Sequence, residues 1–337
     1  MDDFTRLITD WYRQNKRELP WRQTSDPYLI WLSEIILQQT RVEQGKSYFL
    51  KFKNNYPTII DLANASEESI LNDWQGLGYY SRARNLHFTA KLIRDNYNGV
   101  FPNQFEQIKS LKGIGNYTAA AISSFAFNQN YAVVDGNVYR LLSRVFNIDT
   151  PIDSSQGIKY FQSLADELID KKDPAIHNQA IMEVGAMICL PKNPSCSECP
   201  LESKCLSLAN GNFQFLPVKS KKVKVKKRFF HYLIFSGKNN TILQKRIDKD
   251  IWQQLYQFPM IETGSIQIPD DEIFKNKFEI SEKITHILTH QKITAQFYHF
   301  NFIPNKLEKE WIKIKISDIQ DFPLPRIIDR YLENNEV

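Results

Sequence analysis

"SLKGIGNYTAAAI", residues 110–122, decides how the first half of this 337-residue chain is read. A helix ends near Ser110, Gly113 and Gly115 make a tight turn, and an alanine-rich helix opens around Tyr117. Glycine takes positive φ without steric penalty and lets another molecule come close to the backbone. The first amides of the following helix have no intrahelical partner and sit at the positive end of its dipole, so they suit a phosphate. A plain helix hairpin would use the same two glycines, so this stretch alone leaves both readings open.

Outward from the turn, the first 210 or so residues carry apolar positions at three and four spacing. "SEESILNDW" (66–74), "RARNLHFTAKLIRDNY" (82–97), "NVYRLLSRVF" (137–146) and "IKYFQSLADELI" (158–169) read as helices. Ser25 or Asp26 can cap a helix that Pro27 opens. After residue 228 the pattern changes. "FFHYLIF" (229–235), "TILQKR" (241–246), "KITAQFYHFNF" (292–302) and "WIKIKI" (311–316) read as strands. The division is a helical domain over 1–215, a basic join over 216–228 and an α+β domain over 229–337, with no internal repeat. "KSKKVKVKKR" (219–228) has seven basic residues and no acid, which fits either a solvated linker or a polyanion contact.

Composition narrows the class. With 42% hydrophobic and 24% charged residues, the chain can build real cores in water. The start "MDDFTRLITDWY" lacks a basic region before an apolar one. The most apolar stretch, "YLIWLSEIIL" (28–37), is interrupted by Ser33 and Glu34 and is shorter than the ~20 residues a membrane span takes. The expectation is a soluble cytoplasmic protein with no membrane partner.

Three features carry chemistry. All four cysteines fall in "CLPKNPSCSECPLESKC" (189–205), as Cys189, Cys196, Cys199 and Cys205. Such clustering points to a metal centre of structural role, and zinc and an iron–sulfur cluster both accept four thiolates. Asp135, in "VVDGNVYR" (133–140), precedes a helix. It can serve as an N-cap, and the dipole would also keep it ionised with a lowered pKa. Glu34, in "PYLIWLSEIILQQT" (27–40), has Ile30, Trp31, Leu37 and Gln38 as helical neighbours. Desolvation there would raise its pKa and suit a general acid, although a glutamate at the rim of a core would sit in the same pattern. The expected division is one carboxyl that is apolar and proton-holding and one that is capped and ionised.

Together these pieces resemble the helix–hairpin–helix DNA glycosylases. "LKGIGNYTAA" matches their hairpin, "VVDGNV" their aspartate, and the cysteine spacing the [4Fe–4S] loop of the endonuclease III branch. Within the superfamily, "LPWRQTSDPYLIWLSEIILQQTRVEQ" (19–44), "WQGLGYYSRARNL" (74–86) and "NQAIMEVGAMIC" (178–189) are similar to the MutY-type adenine glycosylases. "IWQQLYQFP" (251–259) resembles the MutT-like (Nudix) domain of that branch, without an acidic hydrolase motif after it. The resemblance implies a mainly α glycosylase domain with an iron–sulfur loop, followed by an α+β Nudix-like lesion-recognition domain.

It also implies roles. Glu34 would protonate adenine and activate water, and Asp135 would stabilise the sugar cation, with Tyr117 and Asn137 ordering both. Tyr117 stands where bifunctional relatives carry a Schiff-base lysine, so the chain resembles a monofunctional enzyme. Trp21, Arg22, Leu37, Val42 and Gln179 match pocket positions. Gln39 and Tyr79 would enter the base stack beside Thr40 and Leu77, with Gly113 and Gly115 on the backbone. Thr289 and His290 align with a Phe-Ser-His loop that contacts 8-oxoguanine, with Leu288 in place of its phenylalanine. The implied cofactor is a [4Fe–4S] cluster on the four cysteines. The implied partner is double-stranded DNA holding adenine opposite 8-oxoguanine or guanine, bound by a monomer.

Other readings are weighed against these. A bifunctional endonuclease III-like glycosylase/lyase is disfavoured by Tyr117 and the second domain. A non-catalytic DNA-damage binder is disfavoured by Glu34 and Asp135 together, and an iron–sulfur electron carrier by the DNA-facing motifs.

Overall fold

The structure, a computed structural model, describes residues 2–220 and 225–335. Its helices are α1 (Asp2–Asn15), α2 (Pro27–Leu37), α3 (Val42–Asn55), α4 (Ile59–Asn64), α5 (Glu67–Asp73), α6 (Ser81–Asn96), α7 (Phe105–Ser110), α8 (Asn116–Phe127), α9 (Gly136–Val145), α10 (Ser155–Leu168), α11 (Pro174–Met187), α12 (Leu206–Ala209) and α13 (Arg326–Leu332). Its strands are β1 (Lys226–Gly237), β2 (Asn240–Lys245), β3 (Tyr256–Gln257), β4 (Met260–Thr263), β5 (Glu279–Ile280), β6 (Ile284–Ile287), β7 (Gln291–Phe300) and β8 (Trp311–Lys315). Among the described residues no helix is long and apolar enough to cross a membrane.

The chain divides into two compact units, Met1–Asn64 with Phe88–Lys221, and Ala65–His87 with Lys222–Val337. This differs from a cut at residue 215. Residues 65–87 pack with the C-terminal unit because their polar groups find partners there. Tyr80 Oη donates to the Leu324 carbonyl at 3.0 Å, Gln75 Nε2 to Asp329 Oδ1 at 2.7 Å, and Arg84 Nη1 to the Gln253 carbonyl at 2.7 Å.

The basic join also divides differently. Leu216 is buried, and the amides of Ile152 and Ser220 bond the Val218 carbonyl and Asp153, so residues 216–220 are fastened to the first unit. At the other end β1 already begins at Lys226. Arg228, 7% exposed, is held by Asp250 and Glu262 at 2.6 Å each, so it serves an internal ion-pair network. Residues 221–224 of that stretch lie outside the described residues.

In the first unit, the core lies between Phe4 and Ile8 of α1, Val138, Leu141 and Leu142 of α9, Phe161 and Leu168 of α10, and Ile181 and Val184 of α11. Asp26 caps α2, accepting from the Tyr28 amide at 2.9 Å, and Pro27 takes the first position, where it lacks no needed donor. Every residue of α2 from Tyr28 to Ile36 is buried, as expected of a helix that is apolar nearly all round. The small Ala119, Ala120 and Ala121 let α8 pack against it. The turn before α8 needs a glycine at only one of its two positions. Gly113 has φ +84°, whereas Gly115 has extended backbone that any residue adopts. A Cβ on Gly115 would meet no protein atom within 4 Å.

In the second unit β1 is central. It runs parallel to β7 from Lys226↔Gln291 to Phe235↔Phe300, and antiparallel to β4 and β2, within a mixed sheet that carries β3 and β8 beyond β2. Phe230 to Phe235 are all buried because both faces of β1 are covered. Phe230, Tyr232 and Ile234 meet Ile327, Ile328 and Tyr331 of α13, while Leu233 and Phe235 meet Phe274, Phe278 and Phe300.

Ending the chain after residue 228 would keep residues 65–87 and remove Gln253, Leu324 and Asp329. Limited proteolysis should then cut within 65–87, a stretch the full chain protects. Equal resistance in both proteins would show that the segment holds its shape unaided.

Candidate active site

A cavity of about 220 Å³ opens in the first unit and gathers residues from distant parts of the sequence. Glu34 enters from α2, Tyr117 from the first turn of α8, Asp135 and Asn137 from the start of α9, and Gln179 from α11. Trp21, Arg22, Leu37, Thr40 and Val42 complete the wall on the α2 side. These are ten of the residues expected from the sequence, brought to one place.

Glu34 is 8% exposed on the all-buried α2. Burial pushes its pKa from 4.5 up to about 7; the negative charge of Asp135 adds to the rise, while the Tyr117 hydroxyl and Arg22 oppose it. Burial drives the Tyr117 phenol well above its ordinary value, so its proton stays in place to donate to Glu34.

Asp135 caps α9. Its Oδ1 accepts from the amides of Asn137 at 2.9 Å and Val138 at 2.8 Å, and its Oδ2 from Asn137 Nδ2 at 2.8 Å. The sequence suggested a lowered pKa here. The structure gives the opposite direction, because burial outweighs the three hydrogen bonds and the nearby Arg140. The two carboxyls therefore differ in what opposes burial, three donors against one hydroxyl, and not in the sign of the shift. Asn137 is itself held in turn. Arg140 Nη2 donates to its Oδ1 at 2.9 Å, and a Cβ on Gly185 would strike Asn137 Cβ at 2.8 Å, so α11 approaches this corner only with a glycine.

Sequence reading missed the strongest contrast in the cavity. Glu183, 1% exposed on α11, is gripped by two arginines. Arg17 reaches it through Nε at 2.9 Å and Nη2 at 2.6 Å, and Arg22 through Nη1 at 2.8 Å and Nη2 at 2.7 Å. Burial pushes its pKa up, but these bonds outweigh burial and bring it down to about 2. Two glutamates thus line one cavity with their pKa values moved in opposite directions. The available signal was an acid inside an apolar helix, "AIMEVGAM" (180–187), the same signal that singled out Glu34.

The remaining expected residues lie elsewhere. Gln39 is exposed with φ +57°, and Gly113 and Gly115 are exposed in the hairpin. In the second unit, Tyr79 (φ +47°) shares a 2.5 Å hydrogen bond with Thr289 Oγ1, and both line a cavity of about 210 Å³ with His290, Leu288, Trp252 and Arg84. Leu77 is buried beside that turn and does not line the cavity.

The four cysteines line one small apolar cavity with Leu141, Val145, Ile188 and Phe213. Arg144 donates to Cys189 Sγ at 3.4 Å and to the Leu190 carbonyl at 2.7 Å. Yet among the described residues no three His, Cys, Asp or Glu side chains are grouped as a single metal ion would need. All four cysteines nonetheless line one shared space, as ligands of a single group must.

Residues 32–177 match the HhH-GPD superfamily of base excision DNA repair proteins, and residues 231–334 match the NUDIX domain. An adenine DNA glycosylase of Buchnera aphidicola from Baizongia pistaciae is 39% identical, the alignment covering 85% of this chain and 83% of the relative. The chain belongs to the adenine DNA glycosylase family. A second Buchnera adenine DNA glycosylase, from Acyrthosiphon pisum, is 33% identical over 98% of this chain and 97% of its own. The human adenine DNA glycosylase is 42% identical over 60% of this chain and 39% of its own. A thermostable thymine-DNA glycosylase structure covers 61% of this chain and 95% of its own, with 29% identity and TM-score 0.57. A trapped endonuclease III–DNA complex, at 22% identity and TM-score 0.54, shares the helical fold. The protein is thus a DNA glycosylase of base excision repair, with a helical glycosylase domain and a Nudix-like domain.

Glu34 gives this enzyme a measurable cost of function. Its folded pKa of about 7 exceeds the ordinary 4.5, so folding binds its proton more tightly. Stability from this group is fully present below about pH 4.5 and is lost as pH rises through about 7. Glu34→Gln should therefore be more stable than the wild type at pH 8, by on the order of 3 kcal/mol, with the gap closing toward pH 5. Calorimetric melts across that range check it, and a gap that widens on acidification would reverse the sign.

Proposed function

We propose that this enzyme removes adenine mispaired with 8-oxoguanine or guanine, by hydrolysis of the N-glycosidic bond without strand cleavage. The observation that carries the reading is Glu34, which holds a proton near neutral pH in the same cavity as the capped Asp135. The names of the relatives supply the base; the chemistry of the cavity supplies the reaction.

Adenine must leave the duplex to reach such a cavity. Glu34 then gives its proton to N7. The C1′–N9 bond breaks, and its electron pair leaves with the base. The sugar becomes an oxocarbenium ion, which the Asp135 carboxylate stabilises across the face it meets. Water adds to C1′ and returns a proton to Glu34. Tyr117 and Asn137 order the two carboxyls, and Tyr117 carries no amine, so no Schiff base forms. The remaining pocket residues hold the base.

Gln39 and Tyr79 are the residues we assign to the base stack, with Thr40 and Leu77 supporting them. Both Gln39 and Tyr79 hold left-handed backbone, a strain that folds retain chiefly at working positions. The open face at Gly115 and the lack of a side-chain cap there suit a phosphate at the start of α8. Thr289 and His290, beside Tyr79, are assigned to 8-oxoguanine; the protein acts as a monomer. Four cysteines lining one cavity suit a [4Fe–4S] cluster, which when bound would supply a cross-link that holds the 189–205 loop and take no part in the bond cleavage.

Single-turnover release of adenine from A:8-oxoguanine and A:G duplexes tests the function, with T and C opposite as comparisons. Glu34→Gln should lower release by ~10²–10⁴-fold, and the wild-type rate should fall as pH rises through about 7, where Glu34 loses its proton. Near-normal turnover in Glu34→Gln would remove its role as the acid.

The cluster is tested separately. Cys199→Ser should lose the brown absorbance and bound iron of the purified protein and weaken DNA binding. Purified wild type containing stoichiometric zinc and no iron would overturn the assignment.

A further inference from the structure

The reaction above makes no use of Tyr12, yet Tyr12 touches two residues of the cavity wall. It lies on α1, 2% exposed, in the core beside Phe4 and Ile8. Its hydroxyl donates to Gln179 Oε1 across the contact between α1 and α11. Arg22 stacks on its ring, with Cζ 5.4 Å from the centroid, and the same guanidinium is fixed at 2.7 and 2.8 Å by Glu183. The ring is therefore held on two sides, and burial keeps its phenol protonated.

That bond decides which end of an amide meets the ligand. A phenol can give its proton to an amide oxygen or accept one from an amide N–H; here it gives, so the accepting oxygen of Gln179 is the end it holds and the two N–H donors are at the other. Tyr12 occupies the oxygen, so Nε2 is the end left for the cavity that Gln179 lines. Among the described residues no protein group accepts from Nε2.

We propose that Tyr12 is a positioning residue for base selection: it locks the Gln179 amide with its N–H donors toward the cavity, so the site prefers a purine that offers an unprotonated ring nitrogen there. The inference rests on the reading that a flipped adenine enters this cavity. Adenine has three ring acceptors besides the glycosidic nitrogen. N7 receives the proton of Glu34, which leaves N1 or N3 to meet Gln179.

The test is single-turnover excision of adenine, 1-deazaadenine and 3-deazaadenine, each opposite guanine, by wild type, Tyr12→Phe and Gln179→Glu. Each deaza base replaces one acceptor by C–H. In the wild type one of the two should be disfavoured against adenine, and Tyr12→Phe should shrink that preference roughly tenfold, because the freed amide can turn. The comparison is a ratio of ratios, so differences in intrinsic leaving ability cancel. Gln179→Glu, which presents an acceptor in place of the donors, should shrink the same preference with Tyr12 intact; it carries the test if Tyr12→Phe melts early. Equal slowing of all three bases by Tyr12→Phe would make Tyr12 a structural residue and overturn the proposal. So would unchanged ratios in Gln179→Glu. A wild type that releases no adenine would instead overturn the reading of the cavity itself.

Discussion

Two buried arginines on α9 hold much of the first unit in register. Arg140 and Arg144 are 8% and 3% exposed, and among the described residues neither forms a direct ion pair with a carboxylate, although Arg140 lies near enough to Asp135 to act on its charge. Their charge is met by carbonyl oxygens. Arg140 reaches those of Cys189 at 2.6 Å and Gly185 at 2.7 Å; Arg144 reaches those of Leu190, Pro191 and Phe213. A buried charge left unsatisfied costs several kcal/mol, so these carbonyls must stay where they are. The helix that presents Asp135 at one end is thereby fastened along its length to the end of α11 and to the cysteine loop. The position of the Asp135 carboxylate is a consequence of contacts that lie well outside the cavity.

The cavity itself shows how one kind of side chain acquires two chemistries. Glu34 and Glu183 are both nearly inaccessible, and burial alone would keep both protonated. Two arginines reverse that for Glu183, whereas Glu34 has a single neutral donor. Arg22 is shared: it grips Glu183 and lies near enough to Glu34 to moderate its rise. Committing the guanidinium to Glu183 is what leaves Glu34 free to keep its proton. A carboxyl poised near pH 7 is what proton transfer at neutral pH favours.

Much of this was legible in the sequence, for reasons that also mark where legibility stopped. The helices α5, α6, α9 and α10 and the strands β1, β2, β7 and β8 announce themselves by local period, and Asp26 and Asp135 cap as their positions suggest. The apolar surroundings of Glu34 on its helix were equally local. What failed was tertiary. The dipole at Asp135 can be read from its neighbours, but the burial that overrides it cannot. Glu183 meets Arg17 and Arg22 across more than 160 residues, and no spacing rule spans that gap. Arg228 reads as one more cation in a basic run until Asp250 and Glu262 close on it.

The assignment of residues 65–87 to the second unit has a consequence for how the chain acquires its shape. The hydrogen bond from Asn72 to the Asp321 carbonyl joins residues 249 apart, and that from Gln75 to Asp329 joins residues 254 apart. A chain made from its N-terminus carries the early segment for most of its synthesis with its final neighbours not yet made. Trp74 and Tyr80, both buried in the finished protein, must wait in that interval. Contacts of such sequence separation form late, because the loop-closure entropy is lost before any packing is gained. The second unit therefore completes only once the last helix of the described chain arrives, and an apolar segment held open until then is the point at which the nascent protein most needs shelter from aggregation.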